Sequence, residues 1–221
     1  MKVSMIAAMT LCGRISPGPL AGRRDRCLLE KMRSETGASL LGADTLRSAD
    51  PEMSGPDGVD PSRFRGIMTL SGCIPVTGKK IFQGENKPII FTGSKLYRDL
   101  RQRLTGLAYV VHLESGPVGL SIGAALDFFA GKGVDSVLIE GGGKLNYAAL
   151  LEGVVDEVII TIAPKLSGDS QASLLVDGES PLGAPFLNLE LISCEAAPNG
   201  EIFTRYRVCK ELDKKLLPNM V

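Results

Sequence analysis

Short apolar runs alternate along this chain with stretches in which apolar residues recur every three or four positions. The first pattern predicts buried strands and the second amphipathic helices. Their alternation predicts an α/β fold with a mostly parallel sheet. Residues 3–9 read as the first strand. Residues 25–34 read as a helix with Leu28, Leu29 and Met32 on one face, and 38–41 as a short strand ending at Gly42. The segment 48–64 is rich in Pro, Gly, Asp and Ser and reads as a long loop. Strands are predicted at 67–70, 88–91 and 107–112, with a helix at 95–104. A helix at 121–130 stops at Gly131, a buried strand covers Ser136–Ile139, a helix at 144–151 stops at Gly153, and a β-branched strand covers 155–162. The last third changes character, because 186–192 and Ile202–Val208 read as strands with no helix between them. That predicts an antiparallel pair at the edge of the sheet. The expected organisation is one domain over 1–210 followed by a charged, then apolar, tail at 211–221.

Composition narrows the function class. Lys plus Arg equals Asp plus Glu, so the chain carries no net charge. Neither a nucleic-acid nor an acidic-membrane partner is expected. The five cysteines are scattered without a Cys-x-x-Cys, which predicts reduced, mostly buried thiols in a cytoplasmic protein. The single histidine, His112, cannot anchor a multi-histidine site, and no metal is expected. The apolar run after Lys2 is broken by Ser4 and ends at Leu11, a residue too large for a signal-cleavage site, so it reads as a strand. No segment approaches the roughly 18 apolar residues of a membrane span.

The chemistry concentrates in Val137-Leu138-Ile139-Glu140-Gly141-Gly142-Gly143-Lys144-Leu145-Asn146, a buried strand followed by an acid, three glycines and a helix. Glycines let the backbone turn sharply and approach a ligand, and the helix start offers free N–H groups. Together these suit a phosphate, although three glycines also serve as a plain helix-entry turn. The spacing is neither the Gly-x-Gly-x-x-Gly of a Rossmann site nor a P-loop. A carboxylate such as Glu140, at the end of a buried strand, faces the crevice in which α/β proteins bind ligands.

That glycine block, then Val155-Asp156-Glu157-Val158, then Ala163-Pro164-Lys165-Leu166-Ser167-Gly168, resembles the riboflavin-biosynthesis reductase family. Looser blocks at the N-terminal side fit as well: Ala8 to Ile15, Met32 to Glu35, Leu40 to Leu46, and Asp50-Pro51. No zinc-deaminase signature precedes them. The resemblance implies a dihydrofolate-reductase-like, three-layer fold, with helices on both faces of the sheet. It implies an NADPH-dependent oxidoreductase that reduces the ribosyl group of a 5-amino-6-(5-phosphoribosylamino)pyrimidine to ribityl, in a homodimer.

The resemblance also assigns roles. Gly141, Gly142 and Gly143 would hold the cofactor diphosphate with Leu145 packed nearby, Gly42 and Thr45 would line the cofactor loop, and Ala8 would lie beside the nicotinamide. Thr92-Gly93-Ser94 opens a helix after a strand and suits the 2′-phosphate of NADP, or else Ser94 is a plain N-cap. Arg33 would bind the substrate phosphate, or else is a solvated helix residue. Glu140, Arg14 and Asp50 are the catalytic candidates. The chain departs from the family pattern on the substrate side. Cys12-Gly13-Arg14 stands for Asp-Gly-Lys, Ala49 for the first acid of the loop, and Gly37 for the acid before the strand containing Leu40. These losses keep two alternatives open, a reductase of another substrate such as a pterin, and a non-catalytic nucleotide-binding protein.

Overall fold

The computed structural model describes residues 1–184 and 186–210, and the expected tail at 211–221 lies outside them. Nine strands form one sheet: β1 (Lys2–Thr10), β2 (Ala38–Gly42), β3 (Phe64–Thr69), β4 (Ile89–Thr92), β5 (Tyr109–His112), β6 (Ser136–Ile139), β7 (Glu157–Ala163), β8 (Leu189–Ala196) and β9 (Ile202–Val208). Their order is β5-β4-β3-β2-β6-β1-β7-β9-β8. The seven strands from β5 to β7 run parallel, and β9 and β8 continue the sheet as antiparallel strands. The parallel core with an antiparallel edge pair is thus as expected from the change of pattern in the last third.

Five helices cover the two faces: α1 (Arg23–Ser34), α2 (Ala43–Ser48), α3 (Ser94–Arg103), α4 (Ile122–Ala130) and α5 (Gly143–Leu151). Alternate strand residues feed alternate faces. Leu28, Leu29 and Met32 of α1 pack on Ile6, Leu138 and Ile159. On the same side, Leu46 of α2 and Leu100 of α3 meet Leu41, Ile67 and Ile90. The opposite face carries α4 and α5, whose Ala125, Phe129, Leu145 and Ala149 cover Leu40, Phe91, Val137 and Ile139. The three-layer arrangement follows from these facing sets.

Where elements depart from expectation, the reason is a polar residue in a buried place or an irregular strand. β3 begins at Phe64 rather than 67, because Arg65 occupies a sheet position that is only 2% exposed. Helix α2 was not anticipated, since six residues are too few to show a helical repeat. β8 begins at Leu189 and runs to Ala196, past the 186–192 expected, with a register shift against β9 between Leu191 and Ser193. Among the described residues no helix is long and apolar enough to cross a membrane.

The loop after α2 is held from inside. Met53, with φ +60°, buries its side chain to 1% exposure in the cluster of Leu46, Ile67 and Ile81. A non-glycine residue stays in that left-handed region only when its surroundings fix it. The Asn86 amide donates to the carbonyls of Asp60 (2.8 Å) and Arg63 (2.9 Å), anchoring the far end of the loop.

Candidate functional site

The parallel strands end at unequal heights, and that inequality makes a slot. β1 pairs with β7 as far as Thr10↔Ala163, but with β6 only as far as Met5↔Ile139. On the β6 side, residues 6–10 of β1 have no neighbouring strand. β6 leaves the sheet because Glu140 is followed by Gly141 at φ +89°, a conformation that side chains disfavour. The Glu140 N–H donates to Leu40 O and the Gly42 N–H to Gly141 O, both at 2.9 Å, so the turn is stitched to the end of β2. A side chain added at Gly42 would meet Gly141 O at 3.6 Å and Leu145 Cβ at 3.9 Å, and one at Gly142 would meet Thr45 Oγ1 at 3.5 Å. Gly42, Thr45, Gly141, Gly142 and Leu145 therefore gather on one side of the slot. Ala8 lies three residues beyond the last β1–β6 pair, on the other. A crevice at the carboxyl edge, beside a strand that stops short, is where an α/β sheet takes a ligand.

Gly143 does not share that surroundings. A Cβ there would lie 2.3 Å from Leu174 O and 3.0 Å from Asp177 Cβ. The Asp177 N–H donates to Gly143 O at 3.1 Å, and the Asn146 amide donates to Leu175 O at 2.8 Å. The chain's own 174–177 segment thus covers the start of α5. Packing of that segment accounts for glycine at 143. Arg14 is drawn into the same segment, its Nη1 donating to Ala172 O at 2.6 Å. Its backbone N–H donates to Thr10 Oγ1 at 3.0 Å. Asp50 is exposed and accepts the Lys80 N–H at 3.0 Å, where it fixes the start of a short 3-10 turn. Cys12 Sγ is turned to the loop after β7, accepting from the Ser167 N–H at 3.2 Å. The Thr10 hydroxyl beside it and the Ser167 contacts hold this exposed thiol below its ordinary pKa.

Thr92, Gly93 and Ser94 sit at the carboxyl end of β4, three strands from β6. Thr92 is fully buried and its hydroxyl has no hydrogen-bond partner. The N-cap position of α3 is Gly93, without a side-chain cap, and the exposed Ser94 is the first helical residue. The plain N-cap reading of Ser94 therefore does not hold, and the first amides of α3 remain open.

The largest departure concerns Glu140 and Arg33, expected at the crevice and at a substrate phosphate. The structure binds them to each other. Arg33 Nε and Nη2 donate to Glu140 Oε1 and Oε2 at 3.0 and 2.6 Å, with the side chains 3% and 5% exposed. Arg33 Nη1 donates to Ser54 O at 3.0 Å, so the guanidinium presents no free edge. The Ser39 hydroxyl also donates to Glu140, and Arg63 Nη2 donates to Ser39. Burial pushes the Glu140 carboxyl up. The Arg33 charge and hydrogen bonds, with Ser39 and Arg63, more than offset this and leave it below the ordinary range. Burial lowers Arg63 to about 10 although Glu140 opposes the shift. Arg65 completes the layer, its guanidinium donating to Glu52 O (3.0 Å) and to Asn86 O. Ser39, Arg63 and Arg65 were not anticipated. The only signal was the spacing of two arginines around Phe64, which puts both on one face of a strand.

Comparison with known proteins agrees with this fold. The family model described as the RibD C-terminal domain matches residues 1–203. The 2,5-diamino-6-ribosylamino-4(3H)-pyrimidinone 5′-phosphate reductase of Methanothermobacter thermautotrophicus is 29% identical over 186 residues, 80% of this chain and 84% of that one. The riboflavin biosynthesis protein RibD of Actinobacillus pleuropneumoniae is 29% identical over 80% of this chain, which spans about half (49%) of its length. In fold, a pyrimidine reductase-like protein from Corynebacterium diphtheriae superposes with a TM-score of 0.78 at 21% identity, covering 95% of this chain and 92% of that one.

The buried pair predicts a stability effect. Arg33→Ala strands a buried carboxylate and is expected to lower the unfolding free energy by about 3–5 kcal/mol in urea at pH 7. Folding holds Glu140 below its ordinary value, so the unfolded chain takes up this proton first as the pH drops. The contribution is complete above the ordinary glutamate pKa of about 4.3. It declines as the pH falls below that toward the folded value. Glu140→Gln should flatten this acid limb of the stability curve, and a limb unchanged from wild type would show that the pair contributes nothing.

Proposed function

The chain belongs to the RibD C-terminal domain family, and on that premise we propose that it is an NADPH-dependent reductase of the riboflavin pathway. It reduces the ribosyl group of a 5-amino-6-(5-phosphoribosylamino)pyrimidine to ribityl. The observation that carries this reading is the slot left where β6 stops short of β1, with glycines on one wall and Ala8 on the other. A dinucleotide needs such close backbone approach. In this assignment Gly42, Thr45, Gly141, Gly142 and Leu145 hold the diphosphate half of the cofactor, and Ala8 leaves room for the nicotinamide. Thr92, Gly93 and Ser94, at the open start of α3, take the 2′-phosphate. NADPH, when bound, supplies the hydride for C1′ of the ring-opened sugar. The tasks left to the chain are to bring the two carbons within roughly 3–3.5 Å and to exclude water. Glu140 and Arg33 act by positioning, since their pair fixes the point from which the glycine turn departs.

One observation favours a second reading, a reductase of the same fold with another substrate such as a pterin. The residues at the family's substrate-side positions make internal bonds here, Cys12 to Ser167, Arg14 to Ala172 and Arg33 to Glu140. The five cysteines are free, and Cys12, Cys27, Cys73 and Cys194 are exposed rather than buried as expected; free exposed thiols suit the reducing cytoplasm, where we place the protein. We also infer a homodimer formed through β8. That strand is paired on one side only and all eight of its residues are exposed, including Leu189, Leu191 and Ile192. A long exposed edge of this kind is ordinarily covered.

Three measurements check the proposal. Purified protein should oxidise NADPH when offered the aminopyrimidine ribosyl phosphate, in its deaminated or its non-deaminated form. Turnover of neither form, with dihydropterin or another acceptor reduced instead, would establish the second reading. Ser94→Glu should raise the KM for NADPH on the order of tenfold through charge repulsion with the 2′-phosphate, with little change for NADH. Equal effects on both cofactors would move the 2′-phosphate elsewhere. Sedimentation should show a dimer at micromolar concentration that Leu191→Lys converts to monomer, and a monomeric wild type would remove the homodimer.

A further inference from the structure

One buried acceptor beside the slot has no donor within the chain. Asn146 is the fourth residue of α5 and is fully buried. Its backbone N–H donates to Gly142 O at 3.0 Å, which joins the first turn of the helix to the glycine turn. Its Nδ2 donates to Leu175 O at 2.8 Å, and that bond fixes which end of the amide is Oδ1. Oδ1 itself has no hydrogen-bond partner. An acceptor buried in that state costs free energy unless a donor reaches it.

Gly141 shows from which side a donor can come. Among the described residues, and apart from its chain neighbours, only Asn146 comes within 4 Å of a Cβ placed on Gly141, with Nδ2 and Oδ1 both at 3.7 Å. The space that a side chain would fill at 141 is therefore open, and the Asn146 amide lines it. Gly142 faces elsewhere, since a Cβ there would meet Thr45 Oγ1. Residues 173–177 join this corner to the opposite wall. The Ile15 N–H donates to Ser173 O at 2.8 Å and the Leu175 N–H to Gly13 O at 2.9 Å, while the Asp177 N–H donates to Gly143 O at 3.1 Å. The segment thus runs from the turn after β1 to the start of α5, and Asn146 holds its α5 end through Leu175.

From this placement we propose that Asn146 Oδ1 recognises a hydroxyl of the nicotinamide ribose. The inference deepens the reading of the slot as the NADPH site and rests on it. A diphosphate offers only acceptor oxygens and would leave Oδ1 unpaired, so the diphosphate belongs on the Thr45 side of the turn. The group that enters beside Gly141 must donate. Between the diphosphate and a nicotinamide beside Ala8, NADPH carries one unit with donors, the ribose and its two hydroxyls. The adenosine half, assigned to the start of α3, is three strands away. Glycine at 141 is then required twice, by its φ of +89° and by the ribose that takes the place of a side chain. The Leu175 carbonyl orients the amide before the cofactor arrives, so little order is lost on binding.

Titration calorimetry of the full chain tests this with three ligands. They are NADPH, an NADPH analogue whose nicotinamide-ribose hydroxyls are replaced by hydrogen, and 2′,5′-ADP, which lacks that ribose altogether. Wild type should bind NADPH about tenfold more tightly than the analogue, the loss expected when a buried acceptor stays unpaired. Asn146→Leu, close in volume, should weaken NADPH by about the same factor and leave the analogue and 2′,5′-ADP unchanged, which erases the preference. A variant that weakens NADPH and the analogue equally would overturn the proposal, because Asn146 would then only brace the glycine turn. Equal binding of NADPH and the analogue by wild type would overturn it without any variant, and that comparison decides should Asn146→Leu fold poorly. Both of those outcomes leave the cofactor reading standing. A wild type that binds none of the three ligands would defeat that reading and the proposal with it.

Discussion

The bidentate pair of Arg33 and Glu140 is the point at which the molecule's parts are tied together. Arg33 belongs to the last turn of α1, Glu140 to the residue after β6, and Ser54, which takes the third hydrogen bond, to the loop after α2. All three must arrive for either charge to be buried without great cost. Their meeting fixes the end of α1 over the sheet. It sets the residue from which the glycine turn departs and pins the loop between α2 and β3. Arg63 shares Ser39 with the same carboxylate and keeps one buried nitrogen unpartnered. The layer therefore holds more positive than negative charge; burial is the main cause that lowers Arg63, and Arg33 and Arg65 add to it while Glu140 opposes it.

From that anchored end the slot follows by strand length alone. β6 is four residues long and β1 is nine. β1 can continue to Thr10 because β7 supports it on the other side. Had Glu140 continued the strand, residues 6–10 of β1 would have gained a neighbour and the crevice would have closed. The two faces then divide the labour. The face under α4 and α5 is apolar and gives the sheet its core. The face under α1 carries Ser39, Arg63, Arg65 and Glu140 at its centre and Thr161 and Glu201 at its carboxyl edge. Buried polar groups are concentrated where the chain must hold a geometry rather than merely fill space.

The fold was readable from the chain wherever apolar runs had clear ends. β6 and β9 were found with their observed bounds, and α4 and α5 to within a residue, because short runs of strand-forming residues mark the strands and Gly131 and Gly153 mark the ends of the two helices. β3 was found late, since Arg65 is a core residue disguised by its charge. The glycine block was legible as a turn into a helix, and Gly42, Thr45, Gly141, Gly142 and Leu145 do come together. Sequence could not separate Gly143 from its two neighbours. What distinguishes it is Leu174, thirty-one residues away, which no local pattern reveals. Nor could it show that Arg33 and Glu140 face each other, because an ion pair across 107 positions is a property of the topology.

The internal bonds at substituted positions bear on how this chain differs from its relatives. Where the resemblance places acids and a lysine toward a substrate, Cys12 reaches Ser167 and Arg14 reaches Ala172. Both bonds join the turn after β1 to the segment after β7, the same segment that covers α5 through Leu174 and Asp177. Both side chains are thus engaged within the chain. Hydrogen bonds to a polyhydroxylated substrate discriminate strongly, since an unmatched buried polar group is expensive. A pocket with fewer such groups imposes less of that penalty on an imperfect substrate.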